Sequence, residues 1–307
     1  MTGRPAAAGL DGGRPSAAGL GDELLVRCRF PDPGVEVVCG VSGGADSSAL
    51  AVLAVAAGCA VRIVHVDHGL RPADSERERG IVEALGRRLG VDVAVVELHL
   101  DDGPDLEGRA RTARRAALGP DALLGHTADD LAETMLLHLL RGTGPEGVVA
   151  IEQSVRPLLG LRRAETVALC DSLGLDVVDD PHNRDPRLRR ARVRHEVLPL
   201  LDDVAGRDVV PLLVRHAALL GDANAVLTRG SAWIDPTSAS ALAGAPVALA
   251  RLAVRRWWRE VTGEHYAPDA ASVERVLAVA RGETRGADVH AGWRVSRSAG
   301  RLALVRG

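Results

Sequence analysis

The sequence of 307 residues contains no lysine, so all 38 of its Lys and Arg positions are arginines. Aromatic residues make up only 2% of the chain, and stacking of bases on aromatic side chains is therefore not expected as a main means of binding. The four cysteines form no C-x-x-C pair, which argues against a zinc site and indicates free thiols in a reducing compartment. No apolar run approaches the roughly 20 residues that span a bilayer. We therefore expect a cytoplasmic protein with no membrane partner.

The N-terminal residues lack the continuous apolar core of a signal peptide. Residues 1–20 are rich in Gly, Ala, Pro and Arg and are predicted to form a disordered tail. The whole chain is 46% hydrophobic and 26% charged, which is typical of a globular protein and sufficient for two domains. Residues 1–179 carry 18 arginines against 27 acidic residues, whereas residues 180–307 carry 20 arginines against 14. The C-terminal part is therefore the half suited to a polyanion such as RNA.

Short apolar runs alternate with longer amphipathic segments from Val35 to Leu140. The predicted strands are Val35–Val41, Val61–Val66, Val91–Leu98 and Ala122–Gly125. The predicted helices are Asp46–Ala57, Asp74–Leu89, Leu106–Leu118 and Asp129–Leu140. Repeated βα units predict a doubly wound, parallel α/β sheet with ligands at the carboxyl ends of its strands.

Beyond this sheet the pattern predicts helices over Arg162–Leu173, Val209–Leu220 and Val247–Val261, and a hairpin within residues 282–307. The composition changes near residue 180. We therefore expect an α/β domain over residues 21–180 and a smaller, mostly helical domain over residues 181–307.

A glycine loop follows the first predicted strand. It has the pattern S-G-G-x-D-S and contains Ser42, Gly43, Gly44, Ala45, Asp46, Ser47 and Ser48. Glycines allow backbone N–H groups to approach an anion closely, and the following helix directs its positive end at the same point. The loop is not a Walker A motif, because no lysine follows the glycines. It resembles the loop of the N-type ATP pyrophosphatases, which split ATP between its α and β phosphates.

Two further clusters follow predicted strands. The first is His65-Val66-Asp67-His68-Gly69-Leu70-Arg71. Its histidines and aspartate could be metal ligands, but no third close partner is evident, which favours a strand-end loop with hydrogen-bonded histidines. In a pyrophosphatase this loop would lie over the nucleotide, with Arg71 within reach of a phosphate.

The second cluster, at a strand-to-helix junction, runs from His126 to Thr134. Capping of the helix could explain Asp129. Asp130 and Glu133, three residues apart, share one helical face and could bind a cation or an ammonium group. A solvated acidic surface is the alternative, and the proximity of the glycine loop favours a site.

Two further candidate segments are rich in arginine. The spacing of Glu107, Arg111 and Arg114 places them on neighbouring helical turns, as a salt-bridged surface would also require. Residues 184–194 hold six arginines in eleven positions. So many guanidiniums with few acids repel one another unless an anion lies nearby.

In chain order, these motifs resemble those of the bacterial tRNA(Ile)-lysidine synthetases. The motifs are V-S-G-G-x-D-S, H-V-x-H-G-L-R, L-E-x-x-A-R-x-x-R, H-x-A-D-D-x-A-E-T, R-G-x-G, R-P-L-L and D-P-x-N-x-D-x-x-x-x-R-x-R-V-R, and they run from Val41 to Arg194. The first motif marks only the superfamily, whose fold is adenine nucleotide alpha hydrolase-like, and the combination is more specific. Two positions depart from the family pattern, since Arg115 replaces a usual Tyr and Ala191 a usual Asn.

The resemblance implies a two-step reaction on the wobble cytidine of the isoleucine tRNA with a CAU anticodon. ATP adenylates the 2-carbonyl oxygen of cytosine, and free L-lysine then attacks that carbon and expels AMP. The loop residues Ser42 to Ser48, with His65, Arg71 and His126, would bind ATP, and Asp46 would hold Mg²⁺. Arg111 and Arg194 would balance charge around the adenylate, and Asp130 and Glu133 would receive the lysine ammonium. A homodimer is a further expectation.

Three other functions use similar features. A tRNA thiolase would need a catalytic cysteine pair or an iron–sulfur C-x-x-C, and neither is present. An amidotransferase-type synthetase would fit the loop but would not need the arginine-rich segment. In a nonenzymatic nucleotide sensor or RNA-binding protein, Asp46, Asp130 and Glu133 would be structural only.

Overall fold

The computed structural model describes residues 17–67, 72–98, 106–144, 155–179, 185–264 and 267–307. The chain forms two compact units, Met1–His216 and Ala217–Gly307. The division between them lies within a single helix, Val210–Ala232.

The first unit begins with alternating helices and strands. Its strands are β1 (Glu36–Gly40), β2 (Ala60–Asp67), β3 (Asp92–Glu97) and β4 (Leu123–Leu124). In the described residues up to Ser172, its helices are α1 (Ala17–Leu25), α2 (Ala45–Ala56), α3 (Pro72–Leu89), α4 (Leu106–Leu118), α5 (Ala128–Leu140) and α6 (Arg163–Ser172). The strands and helices predicted between residues 35 and 173 are confirmed to within two residues at each end.

The four strands form one parallel sheet in the order β3-β2-β1-β4. The register of β1 on β2 runs from Glu36 opposite Ala60 to Gly40 opposite Val64. Successive strands are added on one side of β1 as far as β3, and β4 then pairs on the other side. This reversal creates a crevice at the carboxyl end of β1, where open α/β sheets bind their ligands.

The main core lies between this sheet and α2. Leu50 and Leu53 of α2 pack with Val37 and Cys39 of β1 and with Ile63 of β2. Each such leucine contributes about 1.5–3 kcal/mol relative to an exposed position. The opposite side of β2 is also buried at alternating positions, and α4 contacts this strand. Burial on both faces explains the continuous apolar runs of these strands.

Helix α1 differs from the predicted tail of residues 1–20, because it begins at Ala17. Leu24 of this helix is 1% exposed, and Leu20 and Leu25 pack against the same core. The apolar spacing of these leucines supplies enough burial to order the segment.

The segment after residue 185 contains α7 (Arg189–Arg192), a π-helical turn (Val193–Val197) and α8 (Leu198–Ala205), and α9 (Val210–Ala232) follows. Val193, Leu198 and Val210 pack against Ala128 and Ala132 of α5. This apolar contact keeps the segment in the first unit. The division therefore falls at His216 and Ala217 rather than at the predicted boundary of 180 and 181.

The second unit contains the rest of α9, together with α10 (Ala239–Gly244), α11 (Val247–Thr262) and α12 (Ala270–Arg281). A three-stranded antiparallel sheet follows, made of β5 (Gly286–Asp288), β6 (Trp293–Ser298) and β7 (Arg301–Arg306). Trp258 of α11 contacts Trp293 edge-on, with ring centroids 6.1 Å apart. The predicted hairpin is thus β6–β7, and β5 extends it to three strands.

Among the described residues, α9 is long and apolar enough to cross a membrane by length and composition alone, with a mean hydropathy of 1.2 in its most apolar window. Arg215, Asp222 and Arg229 interrupt it at seven-residue intervals. One charged side chain for every two turns gives this helix a polar stripe.

Candidate active site

The glycine loop joins β1 to α2 at the crevice of the sheet. Gly43 has a φ of +88°, which a side chain would strain, and a Cβ there would lie 2.9 Å from Cγ2 of Val178. The backbone N–H of Val178 donates to the Gly43 carbonyl at 3.0 Å. This contact fixes the loop, and Gly44 precedes the first turn of α2, where helical N–H groups attract an anion.

Hydroxyl groups hold the loop from inside. Ser47 Oγ accepts the backbone N–H of Ser42 at 3.2 Å and donates to the Gly44 carbonyl at 2.9 Å. Ser48 Oγ behaves differently, because it is buried and has no hydrogen-bond partner within the described part of the chain. A buried hydroxyl without a partner costs free energy. Ser48 is therefore a candidate donor to a bound phosphate, whereas Ser47 supports the loop.

His65 lies in β2 beside the loop and is 2% exposed. Its Nδ1 lies 2.8 Å from the carbonyl oxygen of Val41, which can only accept, so Nδ1 carries the proton. Nε2 is then an acceptor, and no partner for it is present among the described residues. A buried acceptor beside the loop fits a donor group of a bound nucleotide.

Gly125 allows a close approach that the loop motif does not reveal. It follows β4, and a Cβ there would lie 2.6 Å from the backbone oxygen of Asp46. Only glycine lets the end of β4 contact the first turn of α2 in this way. The candidate residues of α2 and α5 are thereby brought together.

Arg163 sits between three of the predicted carboxylates. Its Nε donates to Asp46 Oδ2 at 2.9 Å, its second terminal nitrogen (Nη2) to Asp130 Oδ1 at 2.8 Å, and its first (Nη1) to Glu133 Oε1 at 3.2 Å. Thr166 donates to the other oxygen of Asp46. The structure thus brings Asp46, Asp130 and Glu133 together, as the sequence predicts, and adds a guanidinium at their centre.

Glu133 is fully buried and meets two more guanidiniums from the arginine-rich segment. Arg190 Nε donates to Glu133 Oε2 at 2.6 Å, and Arg194 Nε donates to Oε1 at 2.6 Å. Arg194 also donates to Oε2 at 3.1 Å, so its contact is bidentate. Arg190 and Arg194 are four residues apart and so lie on the same side of this segment. Glu133 therefore anchors the arginine-rich segment to α5.

The acids at the start of α5 have separate roles. Asp130 Oδ2 accepts the backbone N–H of Thr127 at 2.9 Å, so Asp130 rather than Asp129 caps the helix. Asp129 accepts Arg162 Nη2 at 2.9 Å and the backbone N–H of Arg163 at 2.7 Å. Capping therefore does not explain Asp129, although it lies in the first turn, because Thr127 is the N-cap and the third helical position is the one that reaches back to it.

Burial and charge move the pKa values in this cluster in different directions. Burial raises the pKa of Asp46 despite the neighbouring Arg163. Burial would also raise the pKa of Asp130, but Arg163 and Arg190 outweigh it and hold that pKa below its usual range. Burial opposes the charge of Arg163, yet Asp130, Asp46 and Glu133 together raise the pKa of its guanidinium. At neutral pH Asp130 and Arg163 are therefore an ion pair.

His126 stands at the entrance to α5. Burial lowers its pKa to about 4, so the imidazole is neutral at pH 7. Arg156 Nε donates to His126 Nδ1 at 3.3 Å, which also favours the neutral ring. His126 is thus a neutral, polar group within the site.

Comparison with known proteins agrees with this geometry. Residues 24–201 match the PP-loop domain family, and residues 238–303 match the TilS substrate binding domain. The tRNA(Ile)-lysidine synthase of Nocardia farcinica is 43% identical over 245 residues, which cover 74% of this chain and 77% of that protein. That of Cutibacterium acnes is 39% identical over 291 residues, 88% of this chain and 91% of that protein. This chain belongs to the tRNA(Ile)-lysidine synthase family. The Salinispora tropica member is 38% identical and covers 90% of this chain and 92% of its own length.

Residues 24–201, which match the PP-loop domain family, include every residue that the sequence analysis proposed for the site. Arg71 lies outside the described residues. Arg111 lies in α4, but its side chain is outside the described part of the structure. Sequence reasoning missed Arg163, Thr166 and Gly125. The sequence gave a signal only for Gly125, which is a glycine at the end of a strand. Arg163 and Thr166 gave none, because they begin an ordinary amphipathic helix.

The predicted Mg²⁺ on Asp46 stays a prediction, and the structure gives Asp46 other partners. Both oxygens of Asp46 accept hydrogen bonds, one from Arg163 and one from Thr166. Within the described ranges, no three His, Cys, Asp or Glu side chains are grouped to hold a metal ion. In this arrangement Asp46 is the partner of Arg163.

Proposed function

We propose that this chain is an ATP-dependent ligase that joins free L-lysine to the wobble cytidine of the isoleucine tRNA with a CAU anticodon. The observation that carries the proposal is the PP-loop at the sheet crevice, next to a buried cluster of Asp46, Asp130 and Glu133 with three arginines. Family membership supports the choice of substrates.

In the first step, the 2-carbonyl oxygen of cytosine attacks the α-phosphorus of ATP, and the bond to pyrophosphate breaks. The backbone of Gly43 and Gly44, the start of α2 and the Ser48 hydroxyl hold the phosphates. His65 Nε2 accepts from a donor group of the nucleotide. Mg²⁺ and the participation of Arg71 and Arg111 stay predictions.

In the second step, the lysine amine attacks C2 of the adenylated cytosine and loses a proton. AMP leaves and takes with it the former 2-carbonyl oxygen of cytosine. Asp130 and Glu133 offer negative charge to the ammonium of lysine. Arg194 lies beside them and balances the negative charge of the adenylate. A lysine held by one ammonium group in this way has its other, unprotonated amine aligned for attack, and ammonia could not be held and attack at the same time.

The second unit is proposed to bind the tRNA. Its match to a substrate binding domain and its net charge of +4, from 12 arginines against 8 acidic residues over residues 217–307, support this role. Such a reaction belongs in the cytoplasm. A homodimer stays a prediction.

Pyrophosphate release separates this function from that of a nonenzymatic binding protein. Unmodified isoleucine tRNA and ATP, without lysine, should release pyrophosphate when the protein is added. A matched transcript with uridine at the wobble position should release none. Release that is independent of the wobble base, or no release with either transcript, would overturn the proposal.

A further inference from the structure

Arg163 contacts all three acids of the site through three different nitrogens. The distances are 2.9 Å to Asp46, 2.8 Å to Asp130 and 3.2 Å to Glu133. Its side chain is 25% exposed, whereas that of Glu133 is fully buried. Arg163 is thus partly accessible, as is Arg190, whose side chain is 39% exposed.

The charges of this cluster are already balanced. Asp46, Asp130 and Glu133 face three guanidiniums, those of Arg163, Arg190 and Arg194. Every oxygen of the three carboxylates accepts at least one hydrogen bond. An additional cation therefore finds no uncompensated carboxylate, and it can bind well only if one guanidinium leaves.

The departure of Arg163 would free a position beside all three acids, and each acid would keep another partner. Asp46 would keep Thr166, Asp130 would keep Thr127 and Arg190, and Glu133 would keep its other two arginines. Arg194, by contrast, makes a bidentate contact with Glu133. In the contacts of the described residues, Arg163 is the one of the three that also touches Asp46, in the first turn after the phosphate-binding loop. A displaced guanidinium would therefore find phosphate oxygens nearby.

We propose that Arg163 is a positioning residue that occupies the place of the substrate ammonium in the free enzyme. Its guanidinium keeps Asp46, Asp130 and Glu133 in position and then exchanges with the ammonium of lysine. This inference rests on the proposed lysine ligation. The exchange lowers the apparent affinity for lysine, because only the fraction of enzyme with Arg163 displaced can bind it.

The test compares Arg163→Met with the matched control Arg162→Met in the full chain. Arg162 is the neighbouring arginine and pairs with Asp129 and Asp208, outside the three-acid cluster. In Arg163→Met the KM for lysine should fall at least threefold, while pyrophosphate release without lysine slows. In Arg162→Met the KM for lysine should equal that of the unmodified protein. A merely structural role of Arg163 would raise the KM for both lysine and ATP.

Chemical competition gives an independent readout. Methylguanidinium should compete with lysine in Arg163→Met, because the vacated position accepts a guanidinium, and should not do so in the unmodified protein. If Arg163→Met does not fold, Arg163→Gln carries the test, since a shorter, neutral side chain cannot take the place of the ammonium and should lower the lysine KM in the same direction. An unchanged or raised lysine KM in the folded variant would overturn the inference. Absence of any lysine-dependent product with the unmodified protein would instead contradict the proposed function.

Discussion

Asp46 links the phosphate-binding loop to Arg163. Asparagine keeps the shape of the side chain but removes the charge that faces this guanidinium. We expect Asp46→Asn to slow pyrophosphate release more than tenfold, which corresponds to over about 1.4 kcal/mol in the barrier. The measurement is tRNA-dependent pyrophosphate release, with circular dichroism as the control for folding. A folded variant within tenfold of normal turnover would remove Asp46 from the mechanism.

Glu133 is expected to matter for stability as well as for lysine. Glu133→Gln leaves Arg163, Arg190 and Arg194 around a neutral side chain, and breaking a buried pair in this way costs about 3–5 kcal/mol. We also expect the variant to raise the lysine requirement more than the ATP requirement. Urea unfolding and the two KM values measure these effects.

Glu196→Gln is the matched control for this variant. Glu196 pairs with Arg192 four residues away, and both side chains are at least half exposed. Exposed pairs of this kind contribute little to stability. Equal destabilisation by the two substitutions would contradict the role of Glu133 as the anchor of the arginine-rich segment.

His126 predicts a dependence of stability on pH. Its pKa is about 4 in the folded protein and about 6.5 when unfolded, so the unfolded state binds the additional proton between these values. The free energy of unfolding should therefore fall as the pH drops from about 6.5 to about 4, by at most roughly 3 kcal/mol. His126→Asn should flatten this part of the curve. The same slope in both proteins would show that His126 is not its source.

At the scale of elements, the arginine-rich segment has two different sides. Arg190 and Arg194 contact Glu133, whereas Arg187, Arg189 and Arg192 are exposed. On the sequence alone, the arginines of residues 184–194 form one group beside an anion. That grouping does not match the structure, because Arg190 is held by Asp130 and Glu133.

Replacing Arg187, Arg189 and Arg192 with Ser should weaken tRNA binding. It should also flatten the plot of log affinity against log salt, since each lost phosphate contact lowers the slope by about 0.7–0.9. ATP binding should survive, because none of the three contacts the glycine loop within the described residues. An unchanged affinity and slope would remove this segment from the RNA interface.

The helices and strands between residues 35 and 173 were predictable because their periodicity is local. The glycine loop, Asp130 and Glu133 could be assigned to one site, since the carboxyl ends of adjacent parallel strands meet. The central place of Arg163 was not predictable, because it depends on contacts with residues 117 and 30 positions away along the chain. Strand β5 was missed for a local reason, since Gly286 and Asp288 have low strand propensity.

At the scale of the whole molecule, the two units carry different charges for different tasks. The acidic N-terminal part holds its site arginines in ion pairs, and the basic C-terminal part matches a substrate binding domain. Residues 217–307 were not predicted as a separate unit, because the composition of the sequence changes earlier, near residue 180. The apolar contact of Val193, Leu198 and Val210 with α5 joins residues 185–216 to the first unit, and composition does not reveal this contact.

The central claim is that lysine is the nucleophile, and transfer of labelled lysine tests it most directly. The protein is incubated with ATP, unmodified isoleucine tRNA and labelled free lysine, and the RNA is then digested to nucleosides. Since the chain contains no lysine, degradation of the enzyme cannot dilute the label. The account predicts one labelled cytidine derivative whose formation requires both ATP and lysine. Thiolated or simply aminated cytidine, or no lysine-dependent product from a preparation that releases pyrophosphate, would contradict it.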